Sequence, residues 1–479
     1  MADEDGDSSE ATSISKYRDR IIHGPILRML LWLGAPPLLN QLIIVVYNTA
    51  DAYWLSQYSD ITVAVPRQTW PIIMLFQSFA MALTAACLGM VSQYVGGKSY
   101  REASRSASRF FTVLFFAGII FCMTLLALRE FIFSYIISTP QEIFEEVIKY
   151  SGIIAFDILL NYVSLTFTTI LQSVGDTRKP AIVNAAAVSL NALLDPFLVL
   201  GIGPFPRLGV IGAAITDVMG KGISTLTLAY IIRRSYPDLK IMFTRDMDLE
   251  WATLVARISS PILVLGLTNG FAFLMQLRIV NDLGIVTATS YAIGFVIMDI
   301  VDAALFGLSG ATAIMIGQSL GAGNIRRARE VAYKSCLLTF TLVALGATII
   351  YPIRGLLADV FADDPLIIAE TSSFLQKLLP TLPFFGLFMV AMSTGRGSGH
   401  TLTPTLIGIF RLWGIRAGLG YMLAFPFAMG SSGAWLAIAL SNFIGGIAAL
   451  IWIKYGDWAK PIVKLGSRDE GLKTAGNLK

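Results

Sequence analysis

The feature that most limits this chain is a succession of apolar runs, each close to the ~20 residues that a helix needs to cross a bilayer. Short charged or Gly/Pro-bearing connections separate them. About twelve such runs in 479 residues leave almost no room for a soluble catalytic or nucleotide-binding domain. Inside hydrocarbon a helix satisfies its own backbone, so the runs read as an all-α membrane protein. The expected spans fall near 26–56, 64–92, 109–128, 147–172, 180–201, 208–232, 257–280, 289–318, 333–353, 371–394, 403–426 and 431–454.

An even number of spans puts both termini on one side. The connections on that side carry Lys98, Arg101, Arg105 and Arg109, then Arg178 and Lys179, then Arg233, Arg234, Lys240, Arg245 and Arg257, then Arg326, Arg327, Arg329 and Lys334. The opposite connections are acidic, with Asp60, Glu142, Glu145, Glu146, Asp282, Asp359, Asp363 and Asp364. The positive-inside rule then assigns both termini to the cytoplasm. The N-terminus is acidic where a cleaved signal peptide would be basic, and residues 1–24 read as a disordered tail.

Other totals exclude whole classes. Lys and Arg exceed Asp and Glu by only four, which implies no nucleic-acid surface. Cys87, Cys122 and Cys336 have no paired or metal-ligand spacing and read as packing residues. Two histidines, His23 and His400, cannot form an H-E-x-x-H zinc site. No G-x-x-x-x-G-K-[ST] is present, and no doubled aspartate-rich motif supports Asp299-x-x-Asp302, so neither a primary pump nor an intramembrane prenyl or phosphoryl enzyme is expected, and no cofactor.

The two halves of the chain repeat each other. Gln93-x-x-Gly96-x-x-x-x-Arg101-x-Ala103 returns as Gln318-x-x-Gly321-x-x-x-x-Arg326-x-Ala328, a shift of 318 − 93 = 225. Gly175-x-Thr177-x-x-Pro180 returns as Gly399-x-Thr401-x-x-Pro404, Gly209-x-x-Gly212-Ala213 as Gly430-x-x-Gly433-Ala434, and Pro36 as Pro261. Six spans per repeat make the repeats parallel, related by an axis along the membrane normal. The expected object is two pseudo-symmetric six-helix lobes, 25–232 and 257–455, with a linker 233–256, a C-terminal tail 456–479 and a cleft between the lobes.

Ionisable groups at bilayer depth are costly and mark function unless a partner accounts for them. The first lobe holds most of them. Asn48 and Asp51 are three apart in the first span, with Asn40 earlier; Asp157 and Asn161 pair at i, i+4 in the fourth; Asn184, Asn191 and Asp195 form a stripe in the fifth; Asp217 and Lys221 are four apart in the sixth. If the stripes converge they give a cluster of carboxylates and amides. Burial and a like-charged neighbour both favour a protonated acid, so such a cluster suits a proton; its oxygens equally suit Na⁺. Asp217 and Lys221 read more simply as a self-satisfied pair. In the second lobe Asn269, Gln276, Arg278, Asp299, Asp302, Arg411 and Arg416 nearly balance in charge, and structural ion pairing is expected. Pro36 and Pro37 should kink the first span. Methionines and phenylalanines such as Met74, Met81, Met389, Phe384 and Phe388 would suit a deformable apolar cavity.

Tyr47-Asn48-Thr49-Ala50-Asp51-Ala52-Tyr53-Trp54, Val91-Ser92-Gln93-Tyr94-Val95-Gly96, Gly175-Asp176-Thr177-Arg178, Asn191-Ala192-Leu193-Leu194-Asp195-Pro196 and Arg411-Leu412-Trp413-Gly414-Ile415-Arg416 resemble multidrug and toxic compound extrusion (MATE) transporters, closest to the prokaryotic DinF-like branch. The resemblance covers about residues 20–455. It implies a V-shaped twelve-helix fold and export of amphipathic, often cationic, drugs or toxic compounds across the cell membrane by antiport with H⁺ or Na⁺. It also implies a cation site at Asp51, Asn191 and Asp195, which could hold Na⁺, and a bending proline at Pro36. Thr216 stands near a hydroxyl that contributes to the site in some relatives. Acids that another branch uses in the seventh and tenth spans are missing from 257–280 and 371–394. The competing reading is a flippase for lipid-linked saccharides, which would need a strongly cationic cleft. The bilayer is the one obligatory partner, and nothing in the sequence requires an oligomer.

Overall fold

The computed structural model describes residues 13–58 and 64–464; Asp60, residues 1–12, the tail beyond 464 and the side chain of Asp299 lie outside that description. Helix α1 (Ser13–His23) precedes α2 (Ile26–Tyr58), α3 (Ala64–Gly96), α4 (Tyr100–Phe131), α5 (Gln141–Val174), α6 (Arg178–Leu200) and α7 (Val210–Ser235), which form the first lobe. The second lobe holds α8 (Leu249–Asp282), α9 (Ile285–Gly321), α10 (Ile325–Asp359), α11 (Pro365–Leu378) running into α12 (Leu382–Ser398), α13 (Leu402–Ile409) running through a π-helical segment (Phe410–Leu419) into α14 (Gly420–Ala424), and α15 (Gly430–Tyr455). Eleven helical segments among the described residues are long and apolar enough to cross a membrane. The twelfth in the plan is α7, whose Asp217 and Lys221 lower its apolarity.

Two expectations change. Residues 13–23, read as part of a disordered tail, form α1, because Ile14 and Ile21 find apolar partners and are fully buried. The spans also run longer than their apolar windows. Helix α4 starts at Tyr100, so Arg101, Arg105 and Arg109 extend the helix rather than a loop.

The repeated Gly-x-Thr-x-x-Pro motif now has a mechanical reason. Gly175 and Gly399 sit at φ +103° and +80°, the left-handed conformation that ends α5 and α12. Pro180 and Pro404 fall in the first turns of α6 and α13, where a missing N–H costs little.

The lobes exchange material at the face where α1 and the last described residues lie. Ile26, Met29, Leu30 and Leu33, the first turns of α2, are buried in the core of the second lobe, whereas Leu55 lies in the first. Reciprocally, Trp251, Val255 and Ile258 of α8 are buried in the first lobe, whereas Ile279 and Val280 lie in the second. Pro36 and Pro261 follow directly after the crossing segments. Each proline removes one helical hydrogen bond where its helix passes from one core to the other.

Close backbone approach seals that same face. A methyl group on Gly96 would lie 2.1 Å from Gln318 O, and one on Gly321 would lie 1.9 Å from Gln93 O, so only glycine fits either position. Gln93 Nε2 donates to Ser398 O (3.2 Å), and its repeat mate Gln318 Nε2 donates to Ser173 O (2.9 Å). Helix α1 clasps the junction: Arg18 Nε donates to Gly96 O at 2.8 Å, and Arg327 donates to Ile21 O and Gly24 O, each at 2.6 Å. The linker is strapped to α4 by Arg105–Asp246 and by Arg109–Asp248 at 2.5 Å. The Arg105 guanidinium holds the Asp246 carboxyl below its usual range.

Candidate functional site

Four helices of the first lobe, α2, α5, α6 and α7, carry its cluster of acids. Asp195 on α6 is fully buried, and its Oδ1 accepts from Thr216 Oγ1 on α7 at 2.6 Å. Its Oδ2 is buried with no hydrogen-bond partner among the described residues, as is Asp51 Oδ1 on α2. Asp51 lies within reach of the Asp195 charge. Thr216 Oγ1 also lies 2.7 Å from Ala213 O, so its single hydrogen is shared between that carbonyl and Asp195, which fixes the rotamer. Asn191 is one turn before Asp195. Oriented to satisfy both neighbouring carbonyls, its nitrogen donates to Thr216 O (2.9 Å) and Ala187 O (3.0 Å). The other amide atom is 3.3 Å from Asp217 Oδ1.

Asp217 departs from the self-satisfied pair expected of it. No ion pair joins it to Lys221 among the described residues; its Oδ1 instead accepts from Tyr47 Oη at 2.8 Å. A cross-helix phenol donor competes better here than a flexible ammonium four residues along the same helix. Tyr47 was not singled out from the sequence, although it stands one turn before Asp51 on the same stripe. Asn48, expected beside Asp51, is exposed and stays out of the cluster. Asp157 on α5 carries a buried Oδ1 without a partner among the described residues and feels the charge of Lys221.

Below this cluster, toward the sealed face, lies a cavity of about 740 Å³ between the lobes. Its wall holds eight carboxamides, Asn40, Gln41, Gln77, Asn161, Gln172, Asn184, Asn191 and Asn269, with Ser78, Ser164, Thr168 and Ser224. Apolar groups such as Met74, Met81, Met389 and Phe306 complete it. Many of the polar groups are mutually bonded: Asn161 Nδ2 donates to Gln77 Oε1 (2.7 Å), and Ser224 Oγ to Asn184 Oδ1 (2.7 Å). The expectation that one cluster mixes acids and amides is therefore divided by the structure. The amides line the cavity, the four acids do not, and among the described lining residues the one ionisable group is Lys221. A single ammonium also falls short of the strongly cationic cleft that a flippase for pyrophosphate-linked lipids would need.

The second lobe has no matching acid cluster among the described residues. Of the ion pairing expected there, Arg278 meets Asp282 at 3.9 Å and the charge of Asp302 acts on both Arg411 and Arg416; Arg411 also packs on Phe385 and Phe388 (4.9 and 4.7 Å to the ring centres) and donates to Asn442 Oδ1 at 2.9 Å. Arg416 packs on Phe295 at 5.1 Å. Both lie on the π-helical segment, whose i→i+5 repeat stacks residues five apart on one face. The tenth span, beginning at Pro365 rather than 371, does contain an acid: Glu370 Oε1 accepts from the buried Trp435 Nε1 at 2.6 Å.

Comparison with known proteins matches this architecture. The family model described as MatE fits twice, over residues 36–197 and 261–422, the same shift of 261 − 36 = 225 as the internal repeat. The chain is 23% identical to a probable multidrug resistance protein, YoeA, of Bacillus subtilis, over 82% of this chain and 86% of that one. It is 24% identical to a FAD transporter of Shewanella oneidensis, over 90% and 95% of the respective chains. In three dimensions it is similar to a mutant of the Vibrio cholerae MATE transporter VcmN, with a TM-score of 0.84, 17% identity and coverage of 93% of this chain and 99% of that one.

Proposed function

The chain belongs to the MATE family, and from that premise we propose that it exports small amphipathic organic compounds across the cell membrane in exchange for H⁺ or Na⁺. The observation that carries this reading is the pair of acids from α2 and α6, each keeping one buried carboxylate oxygen without a partner among the described residues. Asp51, Asp195 and Asn191 would hold the coupling cation, with Thr216 fixing Asp195. Either a proton on one carboxylate or a Na⁺ among the oxygens would relieve the unsatisfied atoms.

Coupling requires only that cation and cargo prefer different conformations. The seal at the face of α1 and the cavity above it support a two-lobe carrier that alternates its opening. Pro36 and Pro261 are the weak points at which α2 and α8 would bend as the lobes rock. The basic loops favour a cytoplasmic position for the sealed face, which would make this the outward-facing state of the proposed cycle.

The test is transport in proteoliposomes under a pH gradient or a Na⁺ gradient imposed separately, with ethidium, riboflavin and flavin mononucleotide as fluorescent cargo. Movement driven by one gradient and lost in Asp51→Asn supports the reading. Transport of all three that ignores both gradients, or an unchanged Asp51→Asn, refutes it.

A further inference from the structure

The sign of the cavity's charge is the opposite of what the acid-rich first lobe suggests. Among the described lining residues there is one ionisable group, Lys221, and no carboxylate. Lys221 sits on α7 one turn after Asp217, and the next wall residue of that helix, toward the sealed face, is Ser224. The charged groups that act on it are Asp157 from α5 and Asp217 from its own helix, and neither belongs to the wall. Asp217 is engaged by the Tyr47 hydroxyl. No ion pair to Lys221 occurs among the described residues, so its ammonium is not consumed as structural glue. A lysine kept at bilayer depth without such a bond marks a ligand pathway.

The rest of the wall points the same way. Carboxamides offer both donors and acceptors, which suits a cargo rich in ring nitrogens and carbonyls better than a diffuse apolar cation. An organic cation placed here would face the Lys221 ammonium, while the carboxylates that act on it, Asp157 and Asp217, lie outside the described wall. The volume, about 740 Å³, lies within the range of small-molecule sites.

We propose that this cavity binds an amphipathic organic oxyanion, its phosphate or carboxylate on the Lys221 ammonium and its heterocyclic part read by the surrounding carboxamides. The inference rests on the export reading only in placing cargo between the lobes. It names the cargo's charge, which that reading leaves open.

Equilibrium binding to the detergent-solubilised full chain tests it without any gradient. Riboflavin and flavin mononucleotide share one ring system and differ by a phosphate, and a carboxylated fluorescein separates a carboxylate from a phosphate source. Flavin mononucleotide should bind about tenfold more tightly than riboflavin, as a charge-assisted contact implies. Lys221→Gln should erase that preference by weakening the phosphate compound alone, while Lys221→Arg retains it. If only the carboxylated dye gains from Lys221, the oxyanion is a carboxylate and the proposal stands. Equal weakening of riboflavin and flavin mononucleotide in Lys221→Gln would show a structural lysine and overturn it, as would ethidium outbinding both flavins in the parent protein. The outcomes separate cleanly from those above: selective anion binding without gradient-driven transport would sink the exchange reading and leave this site intact, whereas gradient-driven export of ethidium alone would do the reverse.

Discussion

The cluster at the heart of the first lobe is built of carboxylates, whereas among the described residues of the second lobe Arg411 and Arg416 bury guanidinium groups. Asp51, Asp157 and Asp195 each keep an oxygen without a partner among the described residues. Arg411 and Arg416 spread their charge over aromatic rings. The chemical difference is decisive, because a carboxylate can gain or lose a proton or a metal ion within the physiological range, while a guanidinium stays charged under all such conditions. One helical plan, used twice, thus yields a lobe whose charge can change and a lobe whose charge is constant. In the second lobe Tyr291, Phe374 and Trp435 are stacked together and buried.

Four substitutions test how far this contrast reaches. The largest effect is expected from Asp195→Asn, which removes the switchable charge: gradient-driven transport should fall at least ~100-fold, with membrane abundance unchanged on immunoblots. Arg411→Ala should act differently, through stability. Losing two aromatic contacts and a charged hydrogen bond costs about 3 kcal/mol, read as a lower midpoint of thermal unfolding, while the surviving protein keeps its ion dependence. An altered ion dependence in Arg411→Ala would break the contrast.

Thr216→Val removes the donor to Asp195 at nearly constant volume. A Na⁺-coupled carrier would then need about tenfold more Na⁺ for half-maximal transport, measured by titrating the external cation. The smallest effect is expected of Tyr47→Phe, which frees Asp217. An approximately threefold change in transport rate with no loss of expression would place Asp217 at the margin of the switch, and a complete loss would put it at the centre.

Much of the fold was legible because hydrocarbon leaves the chain few choices. Span number, repeat and the polar stripes all depend on spacing along one helix, which the order of residues contains. Contacts between helices depend on rotation and crossing, which it does not. Tyr47 and Asp217 are 170 residues apart, and only packing brings α2 against α7. The proximity of Asp217 to Lys221 in sequence suggested a pair that the Tyr47 contact replaces. The π-helical segment was hidden as well, since Arg411 and Arg416 look unrelated on a helix of 3.6 residues per turn. Helix α1 escaped notice because its burying surface belongs to other helices: alone, Ser13–His23 is too short and too charged to be stable.

Gly96 and Gly321 are equivalent members of the two repeats, and each lies against the partner residue of the other's motif. At such a place a duplicated gene is in contact with its own copy. Any side chain added to one repeat demands room from the other, so these two positions can drift only as a pair. Asp195 and Arg411 bond within their own lobes, and there the copies could take up different trades. Divergence between the halves should therefore grow with distance from that seam.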